Sequence, residues 1–395
     1  MTSTLDAHDE LSARVDTLDL ADHHCHGVAR GDLDRRGFEE LLSEGGGPPD
    51  GVTNFDTPVG VAVRRHCAPV LDLPAHARAE DYLARRAELG SAEVTRRLLS
   101  ASGTGQFCVD TGFRPGEITG AAELAAAGGG TGYEIVRLET LAEAVAADGV
   151  EAGEFAGAFG AALHAALARP GVVGVKSVAA YRVGFDLDPR PPGAGEVAAA
   201  AGSWLRRGPR PGGDWRLDDP VLTRHLLWAA VEHGRPIQLH VGFGDADIRM
   251  HRVDPALLTD WLHAHRVPVM LLHCWPYHRT AAYLAAVYPH VHLDLGLVLH
   301  YVGPARAAGL LAEAVEMAPF GKLLYSSDAF GLAEYYYLGS VAFRRAISAV
   351  LGAAVEAGEW SRDDAVRYAV MVAAGNARRV YRLEDQPDGL GTGAA

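Results

Sequence analysis

Pro236-Ile237-Gln238-Leu239-His240-Val241 reads as a buried strand, and its surroundings decide the architecture. Upstream, Pro220 to His233 has the length and apolar spacing of a helix. Downstream, Pro255 to His265 leads into Val267 to His273, Thr280 to Tyr288 into Val291 to Leu295, and Ala305 to Met317 into Lys322 to Asp328. Four helix–strand units in succession put each strand parallel to the one before it. Working back toward the start, Leu18 to His26, Gln106 to Asp110, Glu134 to Leu138 and Val172 to Lys176 are further apolar runs of strand length, separated by helical sequence. The total is eight. The fold expected is therefore α/β, a (β/α)8 TIM barrel, as one unit over residues 1–385.

A long helical insertion is expected after the first strand, over about residues 28–105, with Glu80 to Leu89 and Ala92 to Leu99 its clearest helices. Residues 186–216 shift to Pro, Gly and Arg, the composition of a long loop, with one helical piece near Glu196 to Leu205. Loops of that length inside a compact domain are commonly functional, and this one reads as a lid. Helices after Ala333 and from Arg362 to Arg379 complete the barrel, and residues 386–395 are expected to be a disordered tail.

The chain has 395 residues, 48% hydrophobic and 22% charged, the balance of a folded globular protein, and no run reads as long enough to span a membrane. A formal net charge of −14 repels polyanions, so neither nucleic acid nor an anionic membrane is an expected partner. An anionic small molecule held in a local cationic pocket stays compatible with it. Met1 to Asp19 is polar and acidic, unlike a signal peptide, and the four cysteines form no Cys-x-x-Cys pair. Both features lead to the expectation of a cytoplasmic protein with reduced thiols.

In such a barrel the chemistry sits at the C-terminal ends of the strands, and the polar residues collect there. His24 and His26 are spaced i, i+2 and share a strand face. Lys176, His240, His273 and Asp328 each end an apolar run. Taken singly, each has a structural explanation: a hydrogen-bonded core histidine, a helix N-cap, a snorkelling lysine. As a set on one rim they suggest a catalytic centre. Three imidazoles and a carboxylate around a divalent ion leave a position open for water.

The arrangement resembles the amidohydrolase superfamily, marked by His-x-His on strand 1, His on strands 5 and 6 and Asp on strand 8. More narrowly, Val172-Val173-Gly174-Val175-Lys176-Ser177, Leu239-His240-Val241-Gly242-Phe243-Gly244-Asp245, His273-Cys274-Trp275-Pro276-Tyr277, Tyr325-Ser326-Ser327-Asp328-Ala329 and the ending Gly375-Asn376-Ala377-Arg378-Arg379 are similar to the amidohydrolase 2 branch. That branch is related to the N-terminal half of fungal FluG and of plant nodulin/glutamine-synthetase-like proteins. The resemblance implies that His24, His26, His240 and Asp328 hold the metal, with His273 binding a second ion or orienting the attacking water. Lys176 is carboxylated and bridges two ions in binuclear relatives and is not so used in mononuclear ones, and both options stay open. One or two divalent ions per chain are implied, zinc first, manganese or iron next.

The expected activity is metal-dependent hydrolysis of a C–N bond, an amide or γ-glutamyl-type amide, in a small carboxylated substrate, with Asp328 and His273 catalytic. The alternatives are a nonoxidative decarboxylase or isomerase on the same site, or a catalytically silent binding module. Arg137, Tyr181, Arg182, Trp275 and Tyr277 are candidates for the substrate pocket by position, arginine forks suiting a carboxylate. A homo-oligomer is expected.

Overall fold

The computed structural model describes residues 4–384; the expected tail lies outside them. Eight strands form one parallel sheet in sequential order: β1 (Leu20–Cys25), β2 (Thr104–Asp110), β3 (Thr131–Arg137), β4 (Val172–Ser177), β5 (Ile237–Val241), β6 (Val269–His273), β7 (Val291–Asp294) and β8 (Leu323–Leu324). This is the expected (β/α)8 barrel.

The last strand is shorter than Lys322 to Asp328 because the chain leaves the β7 ladder after Leu324 and bonds to β1 instead. The His23 N–H donates to Tyr325 O at 3.1 Å, the Asp328 N–H to His24 O at 3.1 Å and the His26 N–H to Ala329 O at 2.7 Å. These bonds close the barrel. Sequence dictates the connecting helices through ordinary end signals. Asp219, for example, accepts from the Val221 and Leu222 N–H groups, Pro220 opens the helix Pro220–His233, and Gly234 ends it at φ 68°.

The segment between β1 and β2 is helical, as expected, with Arg35–Leu41, Ala79–Leu89 and Ser91–Ser102 among its helices. It has a core of its own, including Phe38, Phe55, Tyr82 and Leu98, which continues into Phe330, Tyr335 and Tyr336 after β8. A buried ion pair, Arg86 Nε to Glu334 Oε1 at 2.7 Å, crosses the same junction.

Two expectations are corrected. The Pro/Gly/Arg-rich segment is not a free loop: its helix Ala194–Arg207 buries Val197, Ala201 and Trp204 in the outer barrel core, with the Trp204 ring 5.8 Å from Phe155. Its apolar stripe is satisfied by the barrel wall, and only the end of the segment, Arg216, reaches the cavity at the mouth, held by Asp247 and Tyr181 O. Secondly, the 24-residue helix Ala333–Glu356 is long and apolar enough, by length and composition, to cross a membrane. In the fold it packs against the helices Thr4–Asp16, Ser91–Ser102 and Pro304–Val315, and a helix surrounded by protein is apolar on most of its circumference.

At the end away from the mouth, Asn376–Tyr381 packs against Ala21, Cys108, Ile135, Met270 and Leu324, residues of five strands. The Tyr381 hydroxyl thereby reaches into the barrel.

Candidate metal centre

Asp328 follows β8 in a left-handed backbone conformation, φ 47°, and three histidines surround its carboxylate. Oδ1 lies 3.0 Å from His24 Nε2 and 3.6 Å from His26 Nε2; Oδ2 lies 3.5 Å from His273 Nε2. His24, His273 and Asp328 each present a ligand atom within 4.8 Å of the others, and all three are buried. His273 also has a positive φ, 66°, as does Cys274 after it, 61°. Left-handed conformations cost a residue with a Cβ about 1–2 kcal/mol, and their concentration at two strand ends around one cluster of ligand-type side chains makes it the candidate site.

Burial lowers the pKa of His24 and His273 well below the ordinary imidazole value, and that of His26 to about 3. All three are neutral rings with a lone pair to offer. Both ring nitrogens of His273 and the Nδ1 of His24 have no hydrogen-bond partner among the described residues. Such buried orphans cost about 1–3 kcal/mol each unless something binds them. Neutral imidazoles, a carboxylate and unclaimed nitrogens fit a divalent cation.

Lys176, at the end of β4, places Nζ 3.0 Å from His24 Nε2 and 4.0 Å from Asp110 Oδ2. Burial lowers its pKa, as burial raises that of Asp328. His240, at the end of β5, has its ring 4.6 Å from that of His273, but its Nε2 faces Phe243 O at 2.8 Å and the Tyr181 hydroxyl at 3.0 Å. Gly242 makes this turn possible: its φ is 77°, and a Cβ there would lie 2.0 Å from Trp275 O.

A cavity of about 280 Å³ opens above these residues, with His26, Lys176, His240 and Asp328 in its lining. Of the pocket candidates, Arg137, Tyr181 and Arg182 line it. Arg137 is committed to Asp110, Nη2 to Oδ2 at 2.6 Å, and Arg182 is 3.2 Å from Glu143. Trp275 and Tyr277 are not in the lining. Trp275 packs edge-on to Phe243, and the Tyr277 hydroxyl donates to Met250 O at 2.7 Å.

Sequence reasoning passed over Asp110, Asp294, Glu44, Asp245 and Arg216. Asp110 and Asp294 end β2 and β7, the same signal that singled out His240 and His273. Asp294 Oδ1 accepts from the His273 and Gly296 N–H groups, each at 2.8 Å. Glu44, Asp245 and Arg216 come from loops that meet only at the mouth, and no local pattern marks them. Burial and then Asp245 push the Glu44 carboxyl up to about 7.

Residues 114–383 match the family model described as Amidohydrolase, about two thirds of the chain. The chain is an amidohydrolase. It is an enzyme of the hydrolase type in a metal-dependent superfamily. This amidohydrolase is 34% identical to the protein FluG of Emericella nidulans over 283 residues, 64% of the chain and 32% of FluG. It thus spans about a third of the length of that relative. A Lactobacillus casei ATCC 334 protein described as a candidate metal-dependent hydrolase is 29% identical, with a TM-score of 0.80 over 94% of the amidohydrolase and 97% of that protein. A uronate isomerase of Bacillus halodurans C-125, 14% identical with a TM-score of 0.67 over 98% of each chain, shares the fold.

Proposed function

We propose that this amidohydrolase cleaves a C–N bond, an amide or γ-glutamyl-type amide, in a small carboxylated substrate. The observation that carries the reading is the Asp328 carboxylate at the floor of a polar cavity, flanked by the Nε2 atoms of His24, His26 and His273, with both nitrogens of His273 and Nδ1 of His24 without a hydrogen bond among the described residues. A divalent ion, zinc before manganese or iron, would be held by Asp328, His24 and His273, with His26, His240 and Lys176 beside them. When bound, such an ion lowers the pKa of water toward about 7 and polarises a carbonyl.

The chain's own residues supply the rest. Asp328 takes a proton from the attacking water at a carboxylate oxygen and returns it to the leaving nitrogen. Burial, which raises its pKa, makes it a stronger base than an exposed carboxylate. The Tyr181 hydroxyl, beside His240, is a hydrogen-bond donor in the wall. Phe113, whose ring is 5.1 Å from His26, and Phe330 exclude water from one side.

The upper wall supports a substrate bearing both charges. Arg137, Arg182 and Arg216 are each paired with a protein carboxylate, whereas Arg114 has only Glu117 at 3.7 Å, leaving it available for a substrate carboxylate. Glu44 and Asp245 form no ion pair among the described residues, and a substrate ammonium between them would relieve their repulsion.

The test is to purify the protein without chelator, load it with Zn²⁺, Mn²⁺ or Fe²⁺, and offer γ-glutamyl and other carboxylated amides while following amine and carbon dioxide together. Amine release supports hydrolysis. Carbon dioxide without amine, or an isomer with neither, would move the reaction to decarboxylation or isomerisation, and a chain that takes up no ion would end the metal-dependent reading.

A further inference from the structure

His273 is the last residue of β6, yet the β6–β7 ladder ends two residues earlier, at the pair Leu271 and Leu293. Its backbone N–H, turned by φ 66° out of the sheet direction, therefore needs a partner elsewhere. That partner is Asp294 Oδ1, at 2.8 Å, which also takes the Gly296 N–H at 2.8 Å. A single carboxylate oxygen ties the end of β6 to the start of the loop after β7.

The other oxygen, Oδ2, lies 2.7 Å from His23 Nε2. His23 Nδ1 is 3.1 Å from the Tyr381 hydroxyl, which accepts from Gln238 Nε2 at 2.8 Å. The Gln238 amide can only donate, so the Tyr381 oxygen accepts from it, and the His23 ring bridges that hydroxyl and the Asp294 carboxylate. Asp22, His23, Gln238, His273 and Asp294 are all fully buried, so no water competes for these bonds.

We infer that Asp294 and His23 are positioning residues of the metal centre: they hold His273 in its left-handed turn and so aim its ring at Asp328. The inference rests on the reading of His273 as a metal ligand. Groups that orient a ligand from behind commonly change metal affinity by about 10–100-fold when removed. The line runs from His273 through Asp294 and His23 to Tyr381, so it anchors the site to the helix that plugs the far end of the barrel. His24 belongs to the same support, because Gln238 Nε2 also donates to His23 O at 2.7 Å and fixes the peptide preceding it.

The test is a Co²⁺ titration of wild type, Asp294→Ala, Tyr381→Phe and Glu334→Gln, read by the visible absorption of bound Co²⁺, with thermal melting as the measure of folding. Asp294→Ala should weaken Co²⁺ binding by about 10–100-fold and shift or weaken the bands. Tyr381→Phe loses a single hydroxyl far from the ion and should move both readings less, in the same direction. Glu334→Gln, which breaks the buried pair with Arg86, should lower the melting temperature and leave the Co²⁺ affinity and spectrum alone. A general loss of stability would not produce this pattern. If wild type binds Co²⁺ and Asp294→Ala matches it in affinity and spectrum, the inference is overturned. Should Asp294→Ala fail to fold, a Tyr381→Phe protein identical to wild type in both readings overturns it equally. A wild type that binds no Co²⁺ removes the metal-ligand reading itself, and the inference with it.

Discussion

Arg137→Met separates two roles that Arg137 could play, because its partner would stay behind. Asp110 is fully buried, and the Arg137 guanidinium donates to it from Nη2 at 2.6 Å and from Nε at 3.1 Å. Breaking a buried pair on one side typically costs about 3–5 kcal/mol, since a charge remains without compensation. Here the Gly112 N–H, 2.9 Å from Oδ1, and Lys176 at 4.0 Å stay in place, which favours the low end, about 3 kcal/mol. For a chain of this length 1 kcal/mol moves the melting temperature by about 2 °C, so a drop of about 6 °C is expected at neutral pH. The double variant Asp110→Asn/Arg137→Met, which strands no charge, should recover much of it.

The pH dependence follows from the same residues. Burial raises the Asp110 pKa, but Arg137, then His26 and Lys176, outweigh it and hold the carboxyl well below the usual range. In wild type its contribution to stability is therefore present above the unfolded carboxyl pKa of about 3.9 and is lost as pH falls below it. Without Arg137 the burial effect is exposed and the folded pKa rises above the unfolded one. The destabilisation is then full at neutral pH and fades as the carboxyl protonates. Melting curves of both proteins between pH 7.5 and 4.5 should converge toward acid. A variant within about 1 °C of wild type at pH 7.5, under half of one kcal/mol on the same scale, would refute the reasoning, and so would a gap that widens as pH falls.

Asp328→Asn should reduce turnover at least about a hundredfold, the low end of what general acid–base transfer contributes, while metal-free melting stays nearly unchanged; most activity surviving at full metal content would contradict the proposed role. For Lys176→Ala, the expected outcome is loss of about half the bound metal, recovered with bicarbonate or a short carboxylic acid, as a carboxylated bridge between two ions requires; elemental analysis giving wild-type stoichiometry would place a single ion there instead. Glu44, with its carboxyl near pH 7, should make the affinity for amine-bearing ligands climb as pH rises through that value. Calorimetry on Glu44→Gln should show this climb gone, and an unchanged pH profile would remove Glu44 from amine recognition.

The barrel was legible because its signal is repetitive: each apolar run is separated from the next by a helix with its own stop signals, and one uncertain unit does not disturb the count. His24, His26, His240, His273 and Asp328 at the ends of those runs were legible for the same reason, and Asp110 and Asp294, which carry the same signal, were passed over. His23 was not, since strict alternation sends it to the side of Cys25, away from His24. The register of β1 against β2 slips between Asp22 and Cys25, and His23 turns its ring to Asp294 and Tyr381. Glu44 and Asp245 are brought to one cavity by tertiary folding across some 200 residues. Trp275 and Tyr277 were expected in the pocket from their nearness to His273 in sequence, but two left-handed residues redirect the chain at that point.

The bonds that close the barrel join its first strand to the segment after its last, through His23, His24 and His26 on one side and Tyr325, Asp328 and Ala329 on the other. The candidate ligands lie on both banks of that seam. A nascent chain that has made seven strands holds His24, His26, His240 and His273 but lacks Asp328, so the candidate site stays incomplete until its final segment docks. Anything bound across His24 and Asp328 then acts as a clasp on the closure itself. Opening the seam would require releasing it, and amide hydrogen exchange at His23, His26 and Asp328, the N–H donors across it, should slow more than elsewhere in the barrel when the site is filled.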